Sequence, residues 1–143
     1  MTEYKFFIDT NLLIYLYSTD SKGSIVENLM QDHFYEICMS TQVLNELYSV
    51  LTRKKLKTKN DAQIIINDLI KNYSIYCLDE ECIKEAISIN IRYHFSYWDS
   101  LIIAAALESG CSTLYSEDLQ HAQVIEETLT ILNPFLVDGG KDA

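Results

Sequence analysis

The sequence has few of the residues that interrupt regular structure. It contains one proline and four glycines among 143 residues, and two of those glycines lie in the last stretch, VDGGKDA. Linkers between domains are commonly rich in proline, glycine or serine, and no such segment or internal repeat precedes this stretch. We therefore predict one domain over residues 1–137, followed by a disordered tail over residues 138–143.

Cysteine is also scarce, and its spacing argues against the common zinc sites. The four cysteines form no CxxC pair, and no cysteine and histidine set has zinc-like spacing. We expect all four to be reduced thiols in the core of the domain. They are Cys38, Cys77, Cys82 and Cys111.

Long apolar runs are missing as well. No stretch reaches about 18 consecutive apolar residues, the length that predicts a membrane-spanning helix. The first residues, MTEYKFF, place an acid close to a base and lead directly into a strand-like run, unlike a secretory signal. We therefore expect no membrane association and a cytoplasmic location.

Cationic residues are outnumbered by acids. Lysine and arginine total 11 against 21 aspartates and glutamates, and the formal net charge is −10. This charge argues against a protein that holds nucleic acid by bulk electrostatics. Five of seven positions are nonetheless cationic in RKKLKTK, Arg53 to Lys59. This basic cluster is either a solvated helix end and loop, or a contact for RNA or for an acidic segment of a partner.

Short apolar runs alternate with helical patterns along the chain. This alternation indicates parallel crossovers, so we predict a doubly wound α/β fold with a mainly parallel sheet of about five short strands flanked by helices. The predicted strands are residues 5–8, 36–40, 74–78, 112–116 and 129–133. The predicted helices are residues 10–18, 22–34, 41–54, 60–72, 80–93 and 97–109, the last ending at Gly110.

Two acids stand where predicted strands end. Asp9 interrupts the apolar run FFIDTNLLIYLYS, and Asp118 follows the run STLYS in the segment SEDLQH. A buried carboxylate costs several kcal/mol unless it is paired, neutralised or bound to a cation. Because ligands of such sheets bind outside the carboxyl ends of the strands, both acids are candidate site residues.

Two further acids lie on helices near the apolar faces. At about 100° per residue, Glu46 falls just outside the apolar arc of its helix. Asp99 lies within the apolar arc of its own helix, on the side of Ile102 and Ala106. Taken singly, each of the four acids also has an ordinary explanation, as a helix cap, a turn former or a carboxylate that reaches water.

A shared cation explains the four acids together. Neighbouring carboxylates repel one another, and a bound metal ion relieves this repulsion. A ligand set made only of oxygen suits Mg²⁺ or Mn²⁺. The predicted ligands are Asp9, Glu46, Asp99 and Asp118. His94 and His121 form no metal-binding helix pair with the acids, and we expect surface or supporting roles for both.

Four segments resemble the PIN-domain family, in particular its bacterial VapC-like toxins, in their order and approximate spacing. The segments are FFIDTNLLIYLYS, STQVLNELYSVL, FSYWDSLIIAAALESGC and LYSEDLQHAQVI, which together extend over nearly the whole chain. The resemblance implies an acidic quartet that binds Mg²⁺ or Mn²⁺ and hydrolyses RNA to a 5′-phosphate and a 3′-hydroxyl. It also implies an antitoxin partner and a homodimer. The ten tyrosines agree with a dimer, because tyrosine is enriched at interfaces.

Matched residue by residue, the family's quartet falls on the same four acids, which would then be both catalytic and metal-binding. Asn11 and Ser116 match polar positions that support the quartet, and Glu117 either orients a ligand or replaces one. The chain departs from the pattern at Ala122, where relatives with a similar segment often carry glycine.

Other classes of protein share parts of this pattern. A receiver domain needs a lysine after its last strand, and a haloacid dehalogenase-type phosphatase needs a second aspartate where this chain has Asn11. Neither need is met. A non-catalytic PIN-fold module that binds RNA or protein is the remaining alternative. The presence of all four acids favours a metal-dependent ribonuclease, the toxin of a type II toxin–antitoxin pair.

Overall fold

Six helices and six short strands lie within residues 5–136, the part of the chain that the computed structural model describes, and a pair of helices follows each of the first three strands. The strands are β1 (Phe6–Ile8), β2 (Ile37–Ser40), β3 (Ser74–Tyr76), β4 (Thr113–Tyr115), β5 (Val124–Ile125) and β6 (Leu129–Leu132). The helices are α1 (Thr10–Leu16), α2 (Lys22–Asp32), α3 (Thr41–Arg53), α4 (Lys59–Asn72), α5 (Glu80–Tyr93) and α6 (Tyr97–Glu108). A short 3₁₀ turn at Phe34–Glu36 precedes β2.

The strands form one sheet in the order β3-β2-β1-β4-β6-β5. All neighbours are parallel except β5, which is antiparallel to β6. In the middle of the sheet, Phe7 of β1 lies opposite Cys38 of β2 and Leu114 of β4. The chain builds one half outward from β1 to β3 and then crosses back to place β4 on the other side of β1. This reversal leaves a crevice beyond the carboxyl ends of β1 and β4.

The core is built around β1 and α6. Phe7 and Ile8 are fully buried, and burial of a side chain of this size contributes roughly 1.5–3 kcal/mol. Every residue of α6 from Ser100 to Ala106 is buried. A helix that is apolar on nearly all sides is one enclosed by protein, and α6 contacts β2, β4 and α5. The other helices are linked in series, with α1 against α2 and α3, and α3 against α4.

The helices that border the crevice begin at polar caps. Asp9 directly follows β1 and caps α1, while Ser40 is the last residue of β2 and caps α3 by accepting the Val43 N–H. Such caps stabilise a helix by about 1 kcal/mol. Because each cap stands at a strand end, the first turns of α1 and α3 lie at the crevice.

The predicted α/β fold with a mainly parallel sheet is confirmed, and all six predicted helices begin and end within two residues of the observed bounds. The sixth strand, β5, was missed. It has two residues and reaches β6 through a turn at Glu126 and Glu127, whose φ angles are +53° and +64°. Turns with two positive φ angles usually contain asparagine and glycine. The pair of glutamates therefore carried no hairpin signal.

The prediction that all four cysteines lie in the core was wrong for Cys77, which is exposed, whereas the other three are buried. Cys77 follows β3, and β3 is an outer strand of the sheet, so one side of its end faces water. No helix within residues 5–136 is long and apolar enough to cross a membrane. The predicted tail, residues 138–143, lies outside the described residues.

Two glycines occupy positions that a side chain would disturb. Gly110 follows α6 with a φ of +78°, as expected of a residue that ends a helix. Gly23 lies in the first turn of α2, where that helix meets the end of α1. A Cβ atom at Gly23 would lie 2.6 Å from the carbonyl oxygen of Tyr15, well inside van der Waals contact.

We predict that Gly23→Ala destabilises the domain, although glycine to alanine inside a helix normally adds up to about 1 kcal/mol. The new methyl group would push α2 away from Tyr15, so we expect a loss of about 1–3 kcal/mol in the free energy of unfolding. Urea denaturation followed by circular dichroism measures this change. Ser24→Ala, at an exposed position in the same turn, should change stability by less than about 0.5 kcal/mol. A more stable Gly23→Ala protein would contradict the close contact.

Candidate active site

A cleft of about 540 Å³ opens beyond the carboxyl ends of β1 and β4. One face of α3, the beginnings of α1 and α6, and the loop after β4 form its lining. These elements come from four separate parts of the sequence. The cleft contains all four acids that the sequence analysis selected, namely Asp9, Glu46, Asp99 and Asp118.

Asp9 is the most deeply buried of the four acids, with 7% of its surface exposed. Its Oδ1 atom accepts a hydrogen bond from the Thr10 backbone N–H at 2.7 Å, and its Oδ2 atom accepts one from the Ser116 hydroxyl at 2.8 Å. Burial raises the pKa of Asp9 to about 6, against the opposing effect of these two bonds. The charges of Glu46 and Asp99 raise it further. Asp9 thus caps α1 and also carries a costly charge in the cleft.

Ser116 lies behind the cleft and connects two of the acids. Its side chain is fully buried, donates to Asp9 and accepts the backbone N–H of Asp118 at 3.2 Å. The Ser116 backbone N–H donates to the carbonyl of Leu132 at 3.0 Å, which anchors the loop to β6. A hydroxyl group can donate and accept at once, so Ser116 ties the loop of Asp118 to Asp9.

Glu46 is held in the cleft by two polar neighbours. Its Oε1 atom accepts a hydrogen bond from the Thr10 hydroxyl at 2.7 Å, and its Oε2 atom accepts one from the Gln42 amide at 3.1 Å. Thr10 therefore binds Asp9 through its backbone and Glu46 through its side chain. Glu46 was predicted to lie just outside the apolar face of its helix. Its side chain lines the cleft and does not simply face bulk water.

Asp99 occupies the first turn of α6, three residues after the cap Ser96. It is half-buried, and burial is the main cause of its raised pKa. The hydrogen bond with Ser96 opposes this shift, while the charges of Asp118 and Glu46 add to it. Asp118 itself is exposed at the rim. The four carboxylates therefore act on one another electrostatically across the cleft.

Glu117 lies outside the cleft lining, although its neighbour Asp118 lies within it. One Glu117 oxygen accepts the Tyr15 hydroxyl at 2.6 Å, and the other is 2.5 Å from the Lys22 ammonium group. The bonds from Lys22 and Tyr15 lower the pKa of Glu117. Of the two roles expected for Glu117, orienting a ligand agrees with these contacts, because they fix the loop that carries Asp118. Direct ligation of a metal does not, because Glu117 lies outside the cleft lining and is paired with the ammonium group of Lys22.

The remainder of this loop is fastened to β6. The Nδ1 atom of His121 accepts the backbone N–H of Asn133 at 2.9 Å, and the Ala122 N–H donates to the Ile131 carbonyl at 2.7 Å. Ala122 has a φ of +70°, in the left-handed region that favours glycine. The loop thus keeps a glycine-like backbone at a cost of about 1 kcal/mol. His94 ends α5 and lies outside the cleft lining.

The chemistry of the lining fits a hard divalent cation. Its potential donors include carboxylate oxygens and the amide oxygen of Asn11, which is buried and has no hydrogen-bond partner among the described residues. Within residues 5–136, no three acidic, histidine or cysteine side chains are gathered closely enough to form a ready metal site. Carboxylates that repel one another spread apart, so we expect a cation to draw them together.

The family model of the PIN domain matches residues 6–127 of this chain. The match extends over most of the sequence, and the chain therefore belongs to the PIN-domain family. This agrees with the order of the four segments and with the sheet topology. A search of curated proteins finds no match to the sequence.

Several solved structures share this fold at low sequence identity. The Mycobacterium tuberculosis toxin VapC20, described as cleaving the sarcin-ricin loop, has a TM-score of 0.65 and 17% identity, with 80% of this chain and 90% of that chain covered. A toxin–antitoxin complex from Klebsiella pneumoniae has a TM-score of 0.70 and 14% identity, with 90% and 96% covered. DNA-bound VapBC from Salmonella typhimurium has a TM-score of 0.67 and 18% identity, with 90% and 97% covered. At these identities the likeness shows the fold alone.

Several residues of the cleft were not predicted from the sequence. Thr10 and Trp98 are each adjacent in sequence to a selected acid, and Gln42 lies one helical turn before Glu46. Helix spacing could have found Gln42, because residues four apart share a helix face. The whole stretch Arg53 to Lys59 was considered as a possible contact, but only Arg53 of that cluster lines the cleft.

We predict that Asp9→Asn stabilises the protein at neutral pH when divalent metal is absent. The native pKa near 6 lies above the ordinary value of 3.8, so the free energy of unfolding falls as the pH rises between these two values and stays lowered above about pH 6. A shift of about two units corresponds to roughly 3 kcal/mol, and we expect the variant to gain about 1–3 kcal/mol in EDTA near neutral pH. Urea denaturation across pH measures this gain.

The gain should shrink as the pH falls from about 7 to about 4, because Asp9 then becomes protonated in the wild type. Asp32→Asn, at an exposed position in the last turn of α2, provides a control and should follow the wild type. A stability difference between Asp9→Asn and wild type that does not change with pH would contradict the raised pKa.

Proposed function

We propose that this PIN-domain protein is a Mg²⁺- or Mn²⁺-dependent endoribonuclease. The observation that supports it most is that four separate segments bring Asp9, Glu46, Asp99 and Asp118 to one cleft. Two of these acids have raised pKa values, so the fold holds their charges at a cost. Clustered acids with perturbed pKa values are typical of functional sites, and a cation removes the cost.

In this proposal the four acids hold the metal, and Asn11 contributes its free amide oxygen directly or through water. When bound, the ion neutralises charge on the phosphodiester and lowers the pKa of water. We assign proton acceptance to Asp99, because both oxygens of Glu46 already accept hydrogen bonds from Thr10 and Gln42.

We further propose that the protein is the cytoplasmic toxin of a type II pair and is neutralised by an antitoxin protein. The support for this role is membership of the PIN-domain family together with the fold shared with solved toxin–antitoxin complexes. The proposal carries a cellular consequence. Expression of the wild-type chain should arrest growth, and Asp99→Asn should not.

The protein is also proposed to form a homodimer. Ile83, Ile87 and Ile91 are exposed at intervals of four residues along α5, so they form one apolar ridge. A contiguous apolar surface of this kind marks an interface more often than an isolated exposed side chain does. A second copy of the chain would cover the ridge.

We predict that Ile87→Glu reduces the dimer to a monomer, because a charge in the middle of the ridge cannot be buried without a partner. Light scattering at micromolar concentration measures the mass of both proteins. Glu27→Gln, on the exposed side of α2, is the control and should remain dimeric. A wild-type monomer would contradict the dimer, and a dimeric Ile87→Glu would contradict the assignment to α5.

We predict that the purified protein cleaves RNA in Mg²⁺ or Mn²⁺ and is inactive in EDTA. Asp9→Asn, Asp99→Asn and Asp118→Asn should each lower the cleavage rate by about 100-fold or more, because each removes a charged ligand. Gel analysis of a labelled RNA measures the rate, and the product ends should be a 5′-phosphate and a 3′-hydroxyl.

Asp32→Asn, purified in the same way, controls for contaminating nuclease and should retain full activity. Cleavage that survives EDTA, or that is equal in all variants, would overturn the proposed function. RNA binding without cleavage under any metal would instead support the non-catalytic PIN-fold module.

A further inference from the structure

Trp98 is the only tryptophan in the sequence, and it stands at the edge of the cleft. It precedes Asp99 in the first turn of α6, and 64% of its surface is exposed. The rings of Tyr97 and Trp98 form a T-shaped contact, with the ring centroids 5.3 Å apart and the planes at 71°. Such a contact covers at most one face of the indole, and burial of the other face against a ligand would be favourable.

The backbone beneath Trp98 is tied to the acids. The Gln42 amide Nε2 atom lies 3.4 Å from the Trp98 carbonyl and 3.1 Å from the Glu46 carboxylate. The other amide atom, Gln42 Oε1, is buried and has no hydrogen-bond partner among the described residues. The position of Trp98 is therefore coupled to the acidic site through one side chain that keeps an unused acceptor.

Arg53 supplies positive charge at the opposite end of α3. It is the only cationic residue that lines the cleft within the part of the chain that the structure describes. Its guanidinium group donates to the Ser49 hydroxyl at 3.2 Å and makes no ion pair with any described acid. An unpaired guanidinium beside a negatively charged cleft is suited to bind phosphate, because its donors match phosphate oxygens.

The length of α3 determines how far apart Trp98 and Arg53 lie. Gln42 marks the Trp98 end of the cleft, and Arg53 lies eleven residues further along α3. At 1.5 Å per residue, the two ends are about 16 Å apart. Glu46 lies near the Trp98 end, one turn beyond Gln42. A ligand that reaches from Trp98 to Arg53 must therefore pass the acids and extend over more than one nucleotide.

We propose that Trp98 and Arg53 form the two ends of a binding track for single-stranded RNA, in which one unpaired base stacks on Trp98 and a phosphate of a neighbouring nucleotide binds Arg53. This inference rests on the proposed ribonuclease function and deepens it. Single strands are recognised by aromatic stacking combined with cationic contacts to the backbone, and both are present here. The exposed side chains of Asn45 and Ser49 line the path between them and can bind sugar or phosphate oxygens.

Stacking of a base on Trp98 requires the RNA to be single-stranded. A base inside a duplex is covered on both faces by its neighbours, so it cannot lie against the indole without leaving the stack. The single cation explains how a chain with a net charge of −10 can bind RNA at one track rather than over a broad surface. The remaining cations of the cluster, from Lys54 to Lys59, lie outside the cleft lining and are not part of the track.

Binding is measured with a fluorescein-labelled single-stranded RNA of about ten nucleotides in Ca²⁺, a hard cation that oxygen ligands also bind, with a gel run in parallel to check that the strand stays intact. Anisotropy of the label gives the dissociation constant, and quenching of the one tryptophan reports stacking. Trp98→Ala should weaken binding by about tenfold, within the roughly 5- to 150-fold range of a base stacked on an aromatic ring. Trp98→Phe, which keeps an aromatic face, should recover most of the affinity. Tyr35→Ala, at a side chain that is 93% exposed and outside the cleft, should change nothing.

Arg53 is tested by the salt dependence of the same binding. Arg53→Gln should lower the slope of log affinity against log salt by about one, because one phosphate contact is lost. Lys54→Gln, the adjacent cation outside the cleft, is the matched control and should leave the slope unchanged. In Mn²⁺, both track variants should raise the KM for RNA cleavage more than they lower kcat.

An RNA with one abasic nucleotide separates stacking from general damage. As the abasic position is moved along the strand, one position should weaken wild-type binding, and at that position Trp98→Ala should cause no additional loss. An equal loss from Trp98→Ala at every position would overturn the track. So would affinity for duplex RNA equal to that for the single strand, or variants that impair only binding of the antitoxin protein.

Different experimental results would contradict the proposed track and the proposed nuclease activity. If RNA binds with the expected Trp98 and Arg53 effects but is not cleaved in Mg²⁺ or Mn²⁺, the proposed activity is wrong and the track stands. If RNA is cleaved in a metal-dependent way while Trp98→Ala and Arg53→Gln match the wild type, the activity stands and the track is overturned. Absence of both RNA binding and tryptophan quenching overturns the track.

Discussion

Asp9 carries its carboxylate at the end of the central strand, where little water can reach it, and its burial is the main reason for a pKa near 6. Thr10 and Ser116 each donate a hydrogen bond to it, which offsets part of the cost of burial. The same two residues connect Asp9 to the rest of the cleft, Thr10 to Glu46 and Ser116 to the backbone of Asp118. Stabilisation of one buried charge thus orders three of the four acids.

Helix α3 extends from the acidic end of the cleft to a positive charge at the other end. Its cap Ser40 ends β2, so the helix starts at the crevice and presents one face along the whole cleft. Glu46 lies on that face near one end and Arg53 lies at the other. An anionic strand laid along α3 would meet a cation first and acids afterwards, and it would need a metal ion where the acids repel it. The charge order along one helix therefore agrees with the proposed binding and cleavage of a phosphodiester.

Local signals were enough to predict most of the fold. Apolar runs of strand length and helical periodicity placed six helices and five strands, because burial of an apolar face is the main force that forms these elements. These signals failed for β5. Its two residues form a strand only because β6 provides a partner and Tyr93 holds the turn at Glu126. They also failed for Cys77, since position at the sheet edge is decided by strand order and not by the apolar run itself.

The sequence by itself determined which acids could form a site, because strand ends and helix faces follow from residue spacing alone. It also identified Asn11, Ser116 and Glu117 through the resemblance to PIN domains. Only the tertiary structure decided that Glu117 binds Tyr15 and Lys22 instead of facing the cleft. Likewise, only the tertiary structure places Trp98, at the start of α6, and Arg53, at the end of α3, around one cleft. The physical reason is that spacing sets the face on which a side chain lies, whereas the neighbour of that face depends on how distant parts of the chain pack together.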